Sequence, residues 1–218
     1  MERRLGFSFG EFHDPKWMGF GPLRVLNEDR YAPGAGLPVQ RRANMELVEI
    51  VLAGRLACAD GVGGEQVLEA GDVRWTGAGH GIEHATRNPD ANAPALALQA
   101  WLQPERLNAA PRCAQRQFDL HAARGAWRTL LSPDGAGESI PIRLQAWLRT
   151  ARLPAGESVA VDLDPQRRYW LQVTAGAVEA GGHRLAAGDA LALEREAGGL
   201  AVRAIAANAD VLLFDLPG

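Results

Sequence analysis

The sequence predicts an all-β chain: two small antiparallel β-barrels of the double-stranded β-helix or jelly-roll kind, packed face to face. Two observations lead there. Short apolar and β-branched runs follow one another at regular spacing with glycine corners between them, the pattern of a barrel or sandwich. The pattern also occurs twice, since VEIVLAGRLAC…QVLEAGDV in the first half is echoed by YWLQVTAGAVEA…HRLAAGDA in the second. Each copy reads apolar strand, Ala-Gly, strand, Gly-containing turn, Leu-x-Ala-Gly-Asp and strand. Gly54 and Gly176, like Gly71-Asp72 and Gly188-Asp189, stand where hairpin corners need a positive φ. An internal duplication is the economical explanation. The boundaries it implies are residues 1–120 for the first barrel, a linker to about 125, and 126–218 for the second.

In order along the chain, Phe7, Phe9 and Phe12 alternate with small or polar residues and predict an edge strand. His13-Asp14-Pro15 reads as a turn, because proline biases its predecessor away from helix. Leu23–Leu26 predicts a short strand that stops at Asn27-Glu28-Asp29, and Pro33-Gly34 turns the chain again. Met45–Leu52, Arg55–Ala59, Gln66–Leu68, Val73–Thr76 and Leu96–Leu102 are the remaining strands of the first copy. Residues 103–125 are weakly periodic and read as a linker with one helical turn near Leu120–Arg124. The second copy comprises Trp127–Leu131, Ile140–Arg149, Val159–Leu163, Tyr169–Thr174, Ala177–Ala180, Arg184–Leu185, Ala190–Leu193, Leu200–Ile205 and Val211–Leu216.

Composition removes several function classes. The 218 residues are 47% hydrophobic and 22% charged, with a net charge of −3 and no basic block. Nucleic-acid binding and anionic-membrane binding are therefore not expected. Cys58 and Cys113 stand far apart outside any CxxC or Cys/His spacing, as free thiols of a reducing cytoplasm do. The N-terminal MERRLGFSFGEF lacks the apolar core of a secretion signal, and no apolar run reaches membrane-spanning length. A cytoplasmic location is the expectation. No serine has a GxSxG context, and no Gly-rich phosphate loop precedes a helix.

The strand–Gly–strand–Ala-Gly-Asp–strand grammar is that of the cupin barrel, and two copies make a bicupin. SFGEFHDPKWMGFGPLRVLNEDR, GLPVQRRANMELVEIVLAG, AGDVRWTGAGHGIEHATRNP, LQAWLQP and VLLFDLPG resemble the pirin family across nearly the whole chain. The similarity is strongest in the first half and extends to the shorter bacterial members with quercetin 2,3-dioxygenase activity. Only Met1–Gly6 precede the Phe-Ser-Phe segment, so the resemblance implies a short or missing edge strand there. It also implies a single iron or other divalent metal in the first barrel, held by three histidines and a glutamate. Those ligands come from Gly-Phe-x-x-His-x-His-x-x-Met-Glu and Gly-Ile-x-His-x-Glu segments. Ligands two apart on a strand share a face, and imidazole with carboxylate suits Fe, Mn, Ni or Zn.

Carried over residue by residue, the ligand positions are Gln40, Arg42, His84 and Thr86. Only His84 is retained. Arg42 has no lone pair and brings a positive charge to the place of a dication. No cofactor is therefore expected in place of the family's Fe(II) or other divalent metal. A rescued zinc site from His80, His84 and Glu46 is one alternative, since Glu46 shares the strand parity of Gln40 and Arg42 whereas Glu49 does not unless a bulge intervenes. A Glu46–Arg42 ion pair is the metal-free alternative. Gln40, Arg42, His80, His84 and Thr86 together also make a donor-rich pocket suited to a carboxylate or phosphate, or a hydrogen-bonded network that fills the barrel mouth.

His13 and His121 read as surface residues and His183 as a lone turn histidine. The six tryptophans read as packing residues, with Trp75 and Trp101 able to line the first cavity. Three functions remain open. One is a metal-poor binder of a small, anionic molecule, or a regulatory protein with a protein partner. The second is a flavonol-type quercetin 2,3-dioxygenase with an altered metal site. The third is a metal-independent enzyme using His84 or His80 as acid or base with Arg42 fixing an anionic substrate.

Overall fold

A computed structural model of the protein describes residues 1–120, 122, 124–205 and 207–218. The chain divides into two compact units, residues 1–118 with 142–144 and residues 119–141 with 145–218. In the first unit the strands are β1 (Glu2–Leu5), β2 (Leu23–Tyr31), β3 (Gly36–Arg42), β4 (Glu46–Ala53) and β5 (Arg55–Asp60). They continue with β6 (Gly64–Glu69), β7 (Asp72–Gly77), β8 (Ile82–Arg87), β9 (Ala95–Leu102) and β10 (Arg112–Gln117). A six-stranded sheet in the order β1-β2-β9-β4-β7-β10 faces a four-stranded sheet in the order β3-β8-β5-β6.

The second unit contains β11 (Arg128–Ser132), β12 (Ile140–Pro141), β13 (Trp147–Leu153), β14 (Ser158–Leu163) and β15 (Arg167–Ala175). After these come β16 (Ala177–Ala180), β17 (His183–Ala186), β18 (Ala190–Glu194), β19 (Gly198–Ala204) and β20 (Ala209–Pro217). Its sheets run β12-β11-β13-β20-β15-β18 and β14-β19-β16-β17. The duplication is thus plain in the topology: β2-β9-β4-β7 corresponds to β13-β20-β15-β18, and β3-β8-β5-β6 to β14-β19-β16-β17. Its corners agree in detail. Gly54 and Gly176 have φ of 72° and 71°. A Cβ on either would meet a backbone oxygen, Pro94 O at 2.6 Å or Asn208 O at 2.4 Å, so both positions exclude a side chain.

The two interiors differ. Residues in one register row across a sheet share a face. In the first barrel one row runs Asn27, Gln99, Glu49, Arg74, and all four are buried. The corresponding row of the second barrel runs Arg149, Leu213, Leu171, Leu191, and its leucines belong to one apolar cluster. Where the first barrel carries Gln99, Glu49 and Arg74, the second carries three leucines, with Arg149 at the end of the row paired to Asp215.

Several expected elements are corrected. The edge strand is Glu2–Leu5, not the Phe7–Phe12 segment, because Gly10 at φ 60° folds Phe9 and Phe12 into a two-residue bridge. β2 does not stop at Asn27 but continues to Tyr31, since Asn27 and Asp29 point inward and find register partners in Gln99 and Arg3. Part of the expected linker is strand β10, which pairs with β7. The expected strand Ile140–Arg149 is split, with 142–144 joining the first unit. The helical turn expected near Leu120–Arg124 includes His121 and Ala123, which lie outside the described residues. Among the described residues no helix is long and apolar enough to cross a membrane.

Candidate functional site

The polar interior of the first barrel is built from two facing rows. On the four-stranded sheet, Gln40 of β3, His84 of β8 and Asp60 of β5 lie side by side in register. Opposite them stands the Asn27–Gln99–Glu49–Arg74 row. Two contacts bridge the sheets. Arg74 Nη2 donates to Asp60 Oδ2 at 2.5 Å with both side chains almost fully buried. His84 Nε2 lies 3.1 Å from Glu49 Oε1, with the two side chains 8% and 1% exposed.

Asp60 is the hub of its end of the barrel. Besides Arg74, it accepts the backbone N–H groups of Val62 (2.9 Å) and Gly63 (2.6 Å) and the Thr76 hydroxyl (3.3 Å). Burial pushes its pKa up, but the Gly63 N–H, the Arg74 guanidinium and the Val62 N–H together outweigh this and hold it below the ordinary value. For His84 burial lowers the pKa, and the neighbouring Glu49 carboxylate more than reverses that, leaving it raised. The Glu49–His84 contact is close but poorly aimed. Neither imidazole nitrogen, neither Glu49 oxygen and neither polar atom of the Asn27 side chain completes a hydrogen bond with a described residue.

The mouth of this interior is a ladder of cations and rings. Arg3 lies over Phe9 (5.0 Å), Phe9 meets Trp101 edge to face (5.4 Å), and Arg42 lies over Trp101 (4.4 Å). Arg42 Nη2 donates to Gln40 Oε1 and Nη1 to Arg41 O, while Nε is buried without a partner. Among the described residues no carboxylate pairs with Arg42, and burial lowers its pKa. Arg3, by contrast, is neutralised by Asp29 at 2.5 and 2.6 Å. Thr86 Oγ1 lies 3.1 Å from Tyr31 Oη, which itself donates to Asp29 at 3.3 Å. Thr86 therefore acts as the donor in its own contact. Arg3, Phe9, Gln40, Arg42, His84, Thr86, Gln99 and Trp101 border a cavity of about 30 Å³, room for about one water molecule.

Gln40, Arg42, His84 and Thr86, the positions carried over from the family resemblance, border one cavity. Glu46 is elsewhere. It lies on the opposite face of the six-stranded sheet, where Trp75 Nε1 donates to its Oε2 at 2.6 Å. The expected Glu46–Arg42 ion pair and the His80/His84/Glu46 zinc set are therefore not assembled. The parity argument failed because β3 and β4 belong to different sheets and Asn44, at φ 54°, interrupts the alternation between them. The inward glutamate is Glu49, which sequence reasoning set aside; Gln99 and Asp60 were missed as well. Trp101 lines the cavity, whereas Trp75 shares the outer face with Glu46. His80 is exposed on the rim, and His13 and His183 are exposed away from the cavity.

Comparison with known proteins bears on this arrangement. The family pattern described as Pirin matches residues 1–102, and that of the quercetinase C-terminal cupin domain matches residues 129–216. The chain belongs to the pirin family. A quercetin 2,3-dioxygenase of Escherichia coli K12 is 34% identical over 97% of this chain and 89% of its own length. A pirin-like protein of Caulobacter vibrioides is 35% identical over 88% of this chain and 82% of its own. The crystal structure of YhhW from E. coli matches with a TM-score of 0.92 and 32% identity, covering 99% of this chain and 90% of that one. A further structure of that bacterial pirin, with the same TM-score, is a complex with nickel(II).

The donor set of this pirin does not fit the three-histidine, one-glutamate centre that the family resemblance implies. The positions hold an amide, a guanidinium, one imidazole and a hydroxyl. The imidazole faces Glu49, and the guanidinium lies across the cavity. Among the described residues no three His, Cys, Asp or Glu side chains converge as a metal site. Cys58 is buried in the same interior, where burial raises its thiol pKa well above the ordinary value, so it is protonated at neutral pH.

Proposed function

We propose that this pirin is a metal-independent binder of a small organic anion at the mouth of its first barrel. The observation that carries the reading is Arg42: a guanidinium with no carboxylate partner among the described residues, bordering the same cavity as His84, Gln40 and Gln99. A guanidinium stays charged and recognises carboxylates through paired N–H donors. With Glu49 offsetting His84, the mouth keeps the positive charge of Arg42 for a ligand. The second barrel supports the assignment by contrast, since leucines stand at its equivalents of Gln99, Glu49 and Arg74.

The test is elemental analysis of untagged protein together with calorimetric titration of sodium benzoate and its neutral analogue benzamide. Substoichiometric metal and a preference of at least about tenfold for benzoate, or about 1.4 kcal/mol, are expected. Equal affinity for the two defeats the reading.

The named relatives support a second reading, a quercetin 2,3-dioxygenase with an altered metal site. Stoichiometric bound metal, with loss of flavonol absorbance under air after Fe(II) is added, would favour it over ours.

A further inference from the structure

A second, larger depression adjoins the first. It is a groove of about 540 Å³ bordered by Arg41, Arg42, Ala43, Gly61 and His80–Glu83, within the usual range for a small-molecule site. Arg42 borders both spaces. The reason lies in the pairing of β3 with β8. Arg42 is opposite Ile82 in the row that meets the groove, and Gln40 is opposite His84 in the next inward-facing row, which meets the inner cavity. From the groove row the Arg42 side chain reaches back to Gln40, with its guanidinium carbon 4.4 Å from the centre of the Trp101 ring. Its guanidinium is thereby laid across the way from one space to the other.

One wall of the groove is a turn tied by hydrogen bonds. His80 sits between Gly79 and Gly81, both at positive φ. That turn is held by hydrogen bonds from His80 N to Ala109 O (2.9 Å) and from Asn44 N to Gly79 O (2.8 Å). Asn44 is tied in turn to Asn108, whose N–H donates to its Oδ1 at 2.7 Å. Arg42 is the contrasting element. Among the described residues it is held by an amide, a backbone carbonyl and a ring face, with Nε unsatisfied.

Resting on the anion-binding reading above, we propose that the groove is the ligand's entry site and that Arg42 is both the carboxylate anchor and the partition. A carboxylate in the groove takes the guanidinium through paired hydrogen bonds and draws it off Trp101. The inner cavity then opens to the groove. The unpaired imidazole of His84, which borders that cavity, becomes reachable by a second polar group on the ligand, about 6.6 Å from the first, the separation of two rows on one face. The ligand class is therefore a small organic carboxylate with a hydroxyl at its far end. No bond is made or broken in this step.

The test uses 4-hydroxybenzoate, benzoate and diethylpyrocarbonate on the full chain, with histidine modification mapped by mass spectrometry. In wild type, His84 should react at least tenfold more slowly than His80. In Arg42→Ala it should speed up at least tenfold, while His13 and His183 stay unchanged as internal controls. Arg42→Lys keeps the charge without the planar cover. It should also expose His84, and it supplies the comparison if the alanine variant folds poorly by circular dichroism. Wild type should bind 4-hydroxybenzoate at least tenfold more tightly than benzoate, and Arg42→Ala, which lacks the carboxylate anchor, should lose that difference. Benzoate binding with His84 labelling unchanged in the variants overturns the partition while leaving anion binding in place. Absence of any benzoate binding overturns both.

Discussion

Asp60→Asn removes the charge from a carboxylate that joins both sheets of the first barrel and leaves Arg74 as an uncompensated buried cation. The size of the effect follows from burial rather than distance. Arg87–Glu65 is a comparable pair at 2.7 Å, but its side chains are 53% and 54% exposed, so it contributes about 0–1 kcal/mol. Arg74–Asp60, at 2.5 Å, is 2% and 0% exposed, and removing one partner of such a pair costs about 3–5 kcal/mol. At roughly 4 °C per kcal/mol, the first barrel should melt about 12–20 °C lower. The pH dependence has a definite sign. The folded pKa of Asp60 is depressed, so its stabilisation is present above the unfolded carboxylate value of about 3.9. It is lost as pH falls through the folded pKa. Urea unfolding followed by tryptophan fluorescence between pH 7 and pH 3 should show this component in wild type and not in the variant. Asp60→Asn combined with Arg74→Met should recover part of the loss, because no orphaned cation remains. A loss under 1 kcal/mol, or a double variant no more stable than the single one, refutes the account.

Two other outcomes test the same interior. Replacing Glu49 and His84 together by leucine, as the second barrel has leucine at the equivalent of Glu49, should stabilise the first barrel by about 1–3 kcal/mol while removing the preference for 4-hydroxybenzoate over benzoate; a less stable double variant in urea denaturation counts against the pair being an unsatisfied polar contact. Gly79→Ala should cost at least twice as much as Gly10→Ala by the same measurement. Both glycines have positive φ, at a cost of about 1–2 kcal/mol for alanine. Only at Gly79 would the new Cβ also meet Ala109 O, at 2.0 Å, whereas Gly10 has open space.

The architecture was legible in the sequence because glycine corners and their repetition are local signals. Gly54 and Gly176 need no knowledge of what lies across the barrel to be read as turns. The meeting of Gln40 with His84 was also legible, through resemblance and strand parity. The identity of the inward glutamate was not. Parity holds within a strand and lapses across the Ala43–Met45 junction, where the chain leaves one sheet for the other. Asn27-Glu28-Asp29 was misread for a related reason. A run of turn-forming residues looks the same whether it faces water or lines a polar interior, and only the cross-sheet partners tell them apart. Strand β10, RCAQRQ, is largely solvent-facing and lacks an apolar stripe, so periodicity had nothing to register.

The unlike interiors of the two barrels set where this chain can change. A charge introduced at Leu171, between Leu213 and Leu191, would meet hydrocarbon on both sides, so drift there is confined to exchanges of similar volume. In the first barrel, the row from Asn27 to Arg74 already tolerates amides, a carboxylate and a guanidinium in neighbouring places. Substitutions at Asn27, Gln99 and Glu49 alter the chemistry of that interior, whereas Arg74 is bound to the fold through Asp60. One half of the duplication is thus free to vary in chemistry on a topology that both halves keep.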